Sequence, residues 1–132
     1  MQKPQKTVQG CPFCIKNGKV TILNETEDAY LVVAINSDGI PMQGRYLIIP
    51  KQHIESILDL PVNWQNSVAE LLRLIPEVQE GAHFNLSYNQ GSVAGQRVPH
   101  VHGWVIIRHI DEAEGSRGIG LASLINKAAK AH

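Results

Sequence analysis

Gly95-Gln96-Arg97-Val98-Pro99-His100-Val101-His102-Gly103-Trp104-Val105-Ile106-Ile107-Arg108 is the stretch whose reading decides the fold. Two histidines flank one β-branched residue and lead into Val-Ile-Ile. The pattern predicts a strand with alternating faces, so that His100, His102 and Trp104 point the same way. At about 3.3 Å rise per residue, the two imidazoles start roughly 6.6 Å apart on that face. Such a spacing lets one ring hold a metal while the other meets a substrate. The plainer alternative is a pair of strand histidines hydrogen-bonded in a core.

Outward from that stretch, the composition sets bounds. A chain of 132 residues suits one domain and buries a core without disulfide staples. Lys plus Arg equals Asp plus Glu, so no global field steers nucleic acid or acidic membranes, and an anionic ligand has to be held by local groups. Residues 1–7 are polar and lack the apolar run of a signal peptide. Tyr30 to Ile35 is far shorter than the ~20 residues that span a bilayer. A soluble cytoplasmic protein is expected.

Cys11-Pro12-Phe13-Cys14 contains both cysteines of the chain. A disulfide fits poorly with the lack of a secretion signal. A thioredoxin-type redox pair needs a βαβ context, whereas the residues that follow look strand-like. A metal knuckle is the third reading. Zinc is its natural occupant, since two thiolates and two imidazoles make a closed tetrahedral site, and the missing ligands have to come from the six histidines.

The run Gly95-Gln96-x-Val98-x-His100-Val101-His102-x-x-Val105 resembles the signature of the histidine triad nucleotide hydrolases and transferases, from Cys11 to about Arg108. Trp104 stands where the family's third histidine would be. In zinc-bearing members, and in the related galactose phosphate uridylyltransferases, a CxxC pair is joined by a histidine after a Pro-Lys-x segment and by the first triad histidine. The resemblance therefore implies a structural zinc site of Cys11, Cys14, His53 (in Pro50-Lys51-Gln52-His53) and His100.

The remaining elements can be read in order. Residues 1–10 look like a disordered leader. Val20 to Leu23 and Tyr30 to Ile35 make a hairpin around the polar turn Asn24 to Asp28, and a third strand begins at Gly44 and runs to Pro50. His53 to Leu58 reads as a short helical piece and Pro61 to Gly81 as the main helix. Trp64, Val68, Leu71, Ile75 and Val78 form its apolar stripe, with Pro76 as a bend and Gly81 as the stop. Phe84 to Asn89 alternates as a fourth strand and enters the glycine-bearing loop 90–96, whose amides suit phosphate oxygens. Residues 111–116 read as a charged loop and 119–131 as an alanine-rich helix.

By resemblance, Asn36 contacts the ribose, although plain turn chemistry is an equal account of it. Asn89 and Gln96 contact the ribose and α-phosphate, Gln96 sharing in catalysis. Arg45 occupies a position that usually carries another histidine, which puts Arg45 and Trp104 near the scissile phosphate. His102 is implied to attack the α-phosphorus, with its other ring nitrogen donating to the carbonyl of His100, and family members pair as two-fold homodimers.

The sequence therefore predicts an α+β fold: a mostly antiparallel sheet of about five strands, one main helix and a shorter one, in a homodimer spanning residues 11–110 with a C-terminal extension. The expected function is hydrolysis or transfer of a nucleotidyl group, on dinucleoside polyphosphates or nucleoside phosphoramidates, through a nucleotidyl-His102 intermediate. The rival reading, prompted by Arg45 and Trp104, is a zinc-stiffened nucleotide-binding module with weak or no chemistry. A zinc-ribbon nucleic-acid binder fits least, as there is no basic stripe and aromatics are few.

Overall fold

Val105, Ile106 and Ile107 are fully apolar on consecutive residues, which only a strand covered on both faces can accommodate. In the computed structural model, which describes residues 9–14 and 20–112, they lie in a central strand. The described elements are β1 (Ile22–Glu25), β2 (Ala29–Ile35), β3 (Pro41–Pro50), a 3₁₀ turn (Ile57–Asp59), α1 (Trp64–Leu72), α2 (Pro76–Gln79), β4 (His83–Tyr88), a second 3₁₀ turn (Ser92–Ala94) and β5 (Gly103–Arg108). The sheet order is β1-β2-β3-β5-β4, and every neighbouring pair is antiparallel. The expected five-stranded α+β fold is thus what the chain adopts.

Alternation along the strands divides the core in two. Ala29, Leu31, Ile48, Val105 and Ile107 face the helices and pack on Trp64, Val68, Leu71 and Ile75. Val32, Ala34, Met42, Leu47 and Ile49 form the other face, against which Phe13, Tyr30 and Trp104 are partly buried. Full burial of an aliphatic side chain stabilises by about 1.5–3 kcal/mol, so these two clusters hold the sheet between layers.

Several boundaries differ from the sequence reading. The hairpin turn is Thr26 to Asp28, because the Thr26 hydroxyl accepts from the Ala29 amide at 3.1 Å and the Thr26 amide donates to the Ala29 carbonyl at 2.9 Å. β3 begins at Pro41, paired with Ile35, once Asn36 has closed the loop in between. His53 to Ser56 is not helical; the turn starts at Ile57, where the Ser56 hydroxyl accepts from the Leu58 amide. The main helix is two helices. Pro76 forces the residue before it into an extended conformation, and Ile75 has φ −73° and ψ 124°, so the chain stops and restarts instead of bending.

The strand carrying the histidine motif also begins later than expected, at Gly103. His100 donates its amide locally to Val98 at 2.8 Å, and Val101 donates to Ile54 at 2.7 Å, which ties this approach to the segment after β3 and keeps it off the ladder. The expected leader falls mostly, and the C-terminal helix wholly, outside the described residues.

Candidate metal centre and active site

The late start of β5 lets the His100 segment lean onto the chain that leaves β3. Cys11, Cys14, His53 and His100 are all buried, and their ligand atoms lie within 4.8 Å of one another. Sγ of Cys11 is 3.5 Å from Nδ1 of His100, and Sγ of Cys14 is 3.7 Å from the same nitrogen and 3.3 Å from Nδ1 of His53. A tetrahedral zinc with Zn–S of about 2.3 Å and Zn–N of about 2.0–2.1 Å sets sulfur and nitrogen about 3.6 Å apart, so these separations fit that ion.

The outer nitrogens support the same fit. Nε2 of His100 donates to the Pro50 carbonyl at 2.9 Å, and Nε2 of His53 meets Glu55 at 3.0 Å. A carbonyl only accepts, so the His100 proton sits on Nε2 and the Nδ1 lone pair faces the sulfurs. Burial pushes the His100 imidazole pKa down to about 4, and burial likewise pushes the Cys11 thiol up. Both shifts mean that the pocket without a cation favours neutral groups; a divalent ion would supply the charge that turns these thiols into thiolates. No disulfide joins the cysteines. When bound, zinc would cross-link the knuckle to two segments distant in sequence.

His102 lies next to this cluster. Its Nδ1 donates to the His100 carbonyl at 2.8 Å, which leaves the lone pair on Nε2. Burial lowers its pKa, keeping the ring neutral at pH 7. The side chain is 7% exposed. Phe13 packs edge-on against it with ring centroids 4.8 Å apart, and Trp104 lies 6.3 Å away.

Other candidates are only partly brought together. Asn89 and Gln96 share the loop before the motif: Gln96 Oε1 accepts from the Gly91 amide at 2.8 Å, and its Nε2 donates to the Glu55 carbonyl at 3.2 Å. Gly95 sits close on Asn89, where a Cβ would come within 3.2 Å of Nδ2. Asn36 lies at the end of β2, and its Oδ1 accepts from the amides of Asp38 and Ile40, the local turn chemistry of such loops. Arg45 pairs with Ile106 across the β3–β5 ladder, two residues further along than Trp104, which pairs with Leu47. Burial lowers the Arg45 pKa, and its charged neighbours are Glu112 and Arg108 at the far end of β5.

Three contributors escaped the sequence reading. Glu55 orients His53, and its position two residues on was the only available signal. Phe13 contacts His102. Gly103 is required because a Cβ there would lie 2.9 Å from the Tyr88 ring, and that ring is held by the Trp64 indole N–H, which donates to its hydroxyl at 3.0 Å. Surface cavities of about 640 Å³ occur beside Trp64 and Ser67 and beside Asn85 and Arg108; neither is lined by His102. No helix among the described residues is long and apolar enough to cross a membrane.

Known proteins resemble this chain in sequence and in fold. The chain is 30% identical over 111 residues to an uncharacterized HIT-like protein of Methanocaldococcus jannaschii, covering 79% of this chain and 83% of the other. It is 29% identical over 118 residues to an adenosine 5′-monophosphoramidase of Saccharomyces cerevisiae, covering 87% and 72%. The fold superposes with a TM-score of 0.62 on a zinc-bound histidine triad family protein of Mycobacterium smegmatis, at 27% identity and 78% coverage of each chain. The family model described as HIT domain matches residues 16–111, and the chain belongs to that family.

Proposed function

We propose that the protein is a nucleotide hydrolase or nucleotidyltransferase in which Nε2 of His102 attacks the α-phosphorus of a nucleotide derivative. One observation carries this reading: the His102–His100 hydrogen bond commits Nδ1 and leaves Nε2 as the basic nitrogen. A phosphorus–nitrogen bond forms as the bond to the leaving group breaks, and water or another acceptor then cleaves the nucleotidyl-histidine, dividing one hard step into two. Gln96 and Asn89 contact the α-phosphate and ribose; Asn36 reaches the ribose only if its turn gives up Oδ1. The relative named an adenosine 5′-monophosphoramidase supports the phosphoramidate class of substrate.

Trp104 stands in the place of the third triad histidine. Its indole donates a hydrogen bond but does not titrate in range, so leaving groups that depart as stable anions should be favoured over amines. Arg45 takes the place where the family carries a further histidine, and an arginine does not give up a proton at neutral pH. That observation favours the runner-up, a zinc-containing nucleotide-binding module of low activity. We further take the zinc to be structural, residues 11–110 to be the working domain, the assembly to be a homodimer and the compartment to be the cytoplasm.

Incubation with an adenylated substrate followed by mass spectrometry separates the two readings. The enzyme gives an adenylyl adduct on His102 that His102→Ala lacks. Nucleotide binding without any adduct leaves the binding module.

A further inference from the structure

Phe13 sits between the two cysteines, and its ring reaches the two motif histidines. The centroids are 4.8 Å from His102 at an interplanar angle of 60° and 6.1 Å from His100 at 88°. Edge-on contacts of this kind orient rings as well as burying them. His102 therefore has two restraints: the hydrogen bond from Nδ1, which sets the tautomer, and the edge-on contact with Phe13, which limits ring rotation. The first comes from its own strand approach. The second comes from a segment far along the chain, whose Cys11 lies 89 residues from His100 and meets it by a sulfur–imidazole contact.

We propose that Phe13 is a positioning residue for His102 and holds its place through the four-ligand centre, so that occupancy of that centre sets how open the nucleophile is. The inference rests on the reading of Cys11, Cys14, His53 and His100 as a zinc site. It gives the knuckle a role beyond stiffening the fold: the same few residues that ligate also present the ring that borders His102. Phe13 also touches the apolar sheet face of Val32, Ala34, Met42, Leu47 and Ile49, so its dependence on the metal has to be measured separately from its contact with His102.

Diethyl pyrocarbonate acylates an accessible imidazole nitrogen whether or not the chain turns over, so the test does not depend on activity. The full chain, zinc-loaded and confirmed by elemental analysis, is treated near pH 7, and each histidine-bearing peptide is followed by mass spectrometry. The exposed His83 and His109 are internal references. Zinc-loaded Phe13→Ala should acylate at His102 about two- to tenfold faster than wild type, the range that an aromatic contact of ordinary strength sets. Phe13→Leu, which keeps the apolar anchor, should fall between, and it serves as the variant if Phe13→Ala fails to retain zinc. Wild type stripped of zinc should match Phe13→Ala at His102, with unchanged rates at His83 and His109. Equal His102 rates in loaded wild type and loaded variants overturn the positioning role. An unchanged His102 rate after stripping overturns the link to the metal. Either result leaves nucleotidyl transfer to be judged by its own adduct.

Discussion

The Nδ1–H of His102 donates to the carbonyl of His100 at 2.8 Å, while the His100 ring, through Nε2, donates to Pro50 at 2.9 Å. Two imidazoles two residues apart are thereby held in defined tautomers: one turns Nδ1 to the sulfurs, and the other keeps an unprotonated Nε2. Replacing His102 by Ala should abolish the adduct and reduce turnover by a factor on the order of 10⁴ or more, as loss of a covalent nucleophile does. Steady-state kinetics with the same substrate check this, and retention of more than about a tenth of the rate would transfer the role to another residue.

Chelation should destabilise the chain. With the four candidate ligands buried, loss of a bound ion would leave a polar pocket whose groups lack a common partner. A strong chelator, or Cys14→Ser, should lower the thermal midpoint by about 10 °C. Calorimetry with parallel zinc analysis measures it; a zinc-free preparation that melts at the same temperature would argue against the site.

Trp104→His tests the leaving-group argument. On a nucleoside phosphoramidate the variant should gain about tenfold or more, a part of the 10²–10⁴ that general acid assistance commonly contributes. It should also lose roughly 1–3 kcal/mol of stability, because Trp104 packs on the apolar face that includes Leu47 and Ile49. Denaturant titration reads the cost. An absent kinetic gain would mean that the leaving group takes its proton from elsewhere.

Gly103→Ala should be costly, and the position lies beside the proposed nucleophile His102. The added methyl would sit 2.9 Å from Cε2 and Cζ of Tyr88, whose hydroxyl is held by Trp64, so ring and strand have to separate. About 1–3 kcal/mol of stability should be lost, with reduced adduct yield at His102. A double-mutant cycle with Tyr88→Leu should return part of both; an additive result would mean that the two residues do not press on each other.

Two tyrosines should mark the alkaline limit of the fold. Burial, then the hydrogen bond that the Tyr46 hydroxyl donates to Glu77 at 2.6 Å, raises the Tyr46 pKa; burial raises that of Tyr88. A raised folded-state pKa means that the stability carried by the neutral hydroxyl is complete below about pH 10, the unfolded value, and is lost as pH rises above it toward the folded value. Unfolding free energy should therefore fall with pH above about 10, and the fall should be shallower in Tyr46→Phe. A pH-independent stability there would contradict it.

The sequence by itself determined the strand content, the apolar stripe of the helical region and the CxxC pair as a metal-ligand candidate. Period-two alternation and a consecutive apolar run are local properties, and Cys11 and Cys14 were legible because ligand chemistry restricts residue type, whereas His53 and His100 were picked out of six histidines by the family resemblance. Element ends were less legible: Pro76 read as a bend and acts as a break, and the strand expected from His100 starts at Gly103 because the preceding amides bond elsewhere.

Only the tertiary structure decided which candidates meet. The spacing of Arg45 and Trp104 in sequence does not say what surrounds them: Arg45 is buried, with the charges of Glu112 and Arg108 acting on it, and Trp104 lies opposite Leu47. Phe13, Glu55 and Gly103 carried no signal of their own, since an aromatic edge, an outer carboxylate and a missing Cβ acquire meaning only from a neighbour far along the chain. The physical reason is common to all three: local pattern encodes how a segment hydrogen-bonds and which face it buries, whereas ring contacts and ligand clusters depend on how separate segments close on one another.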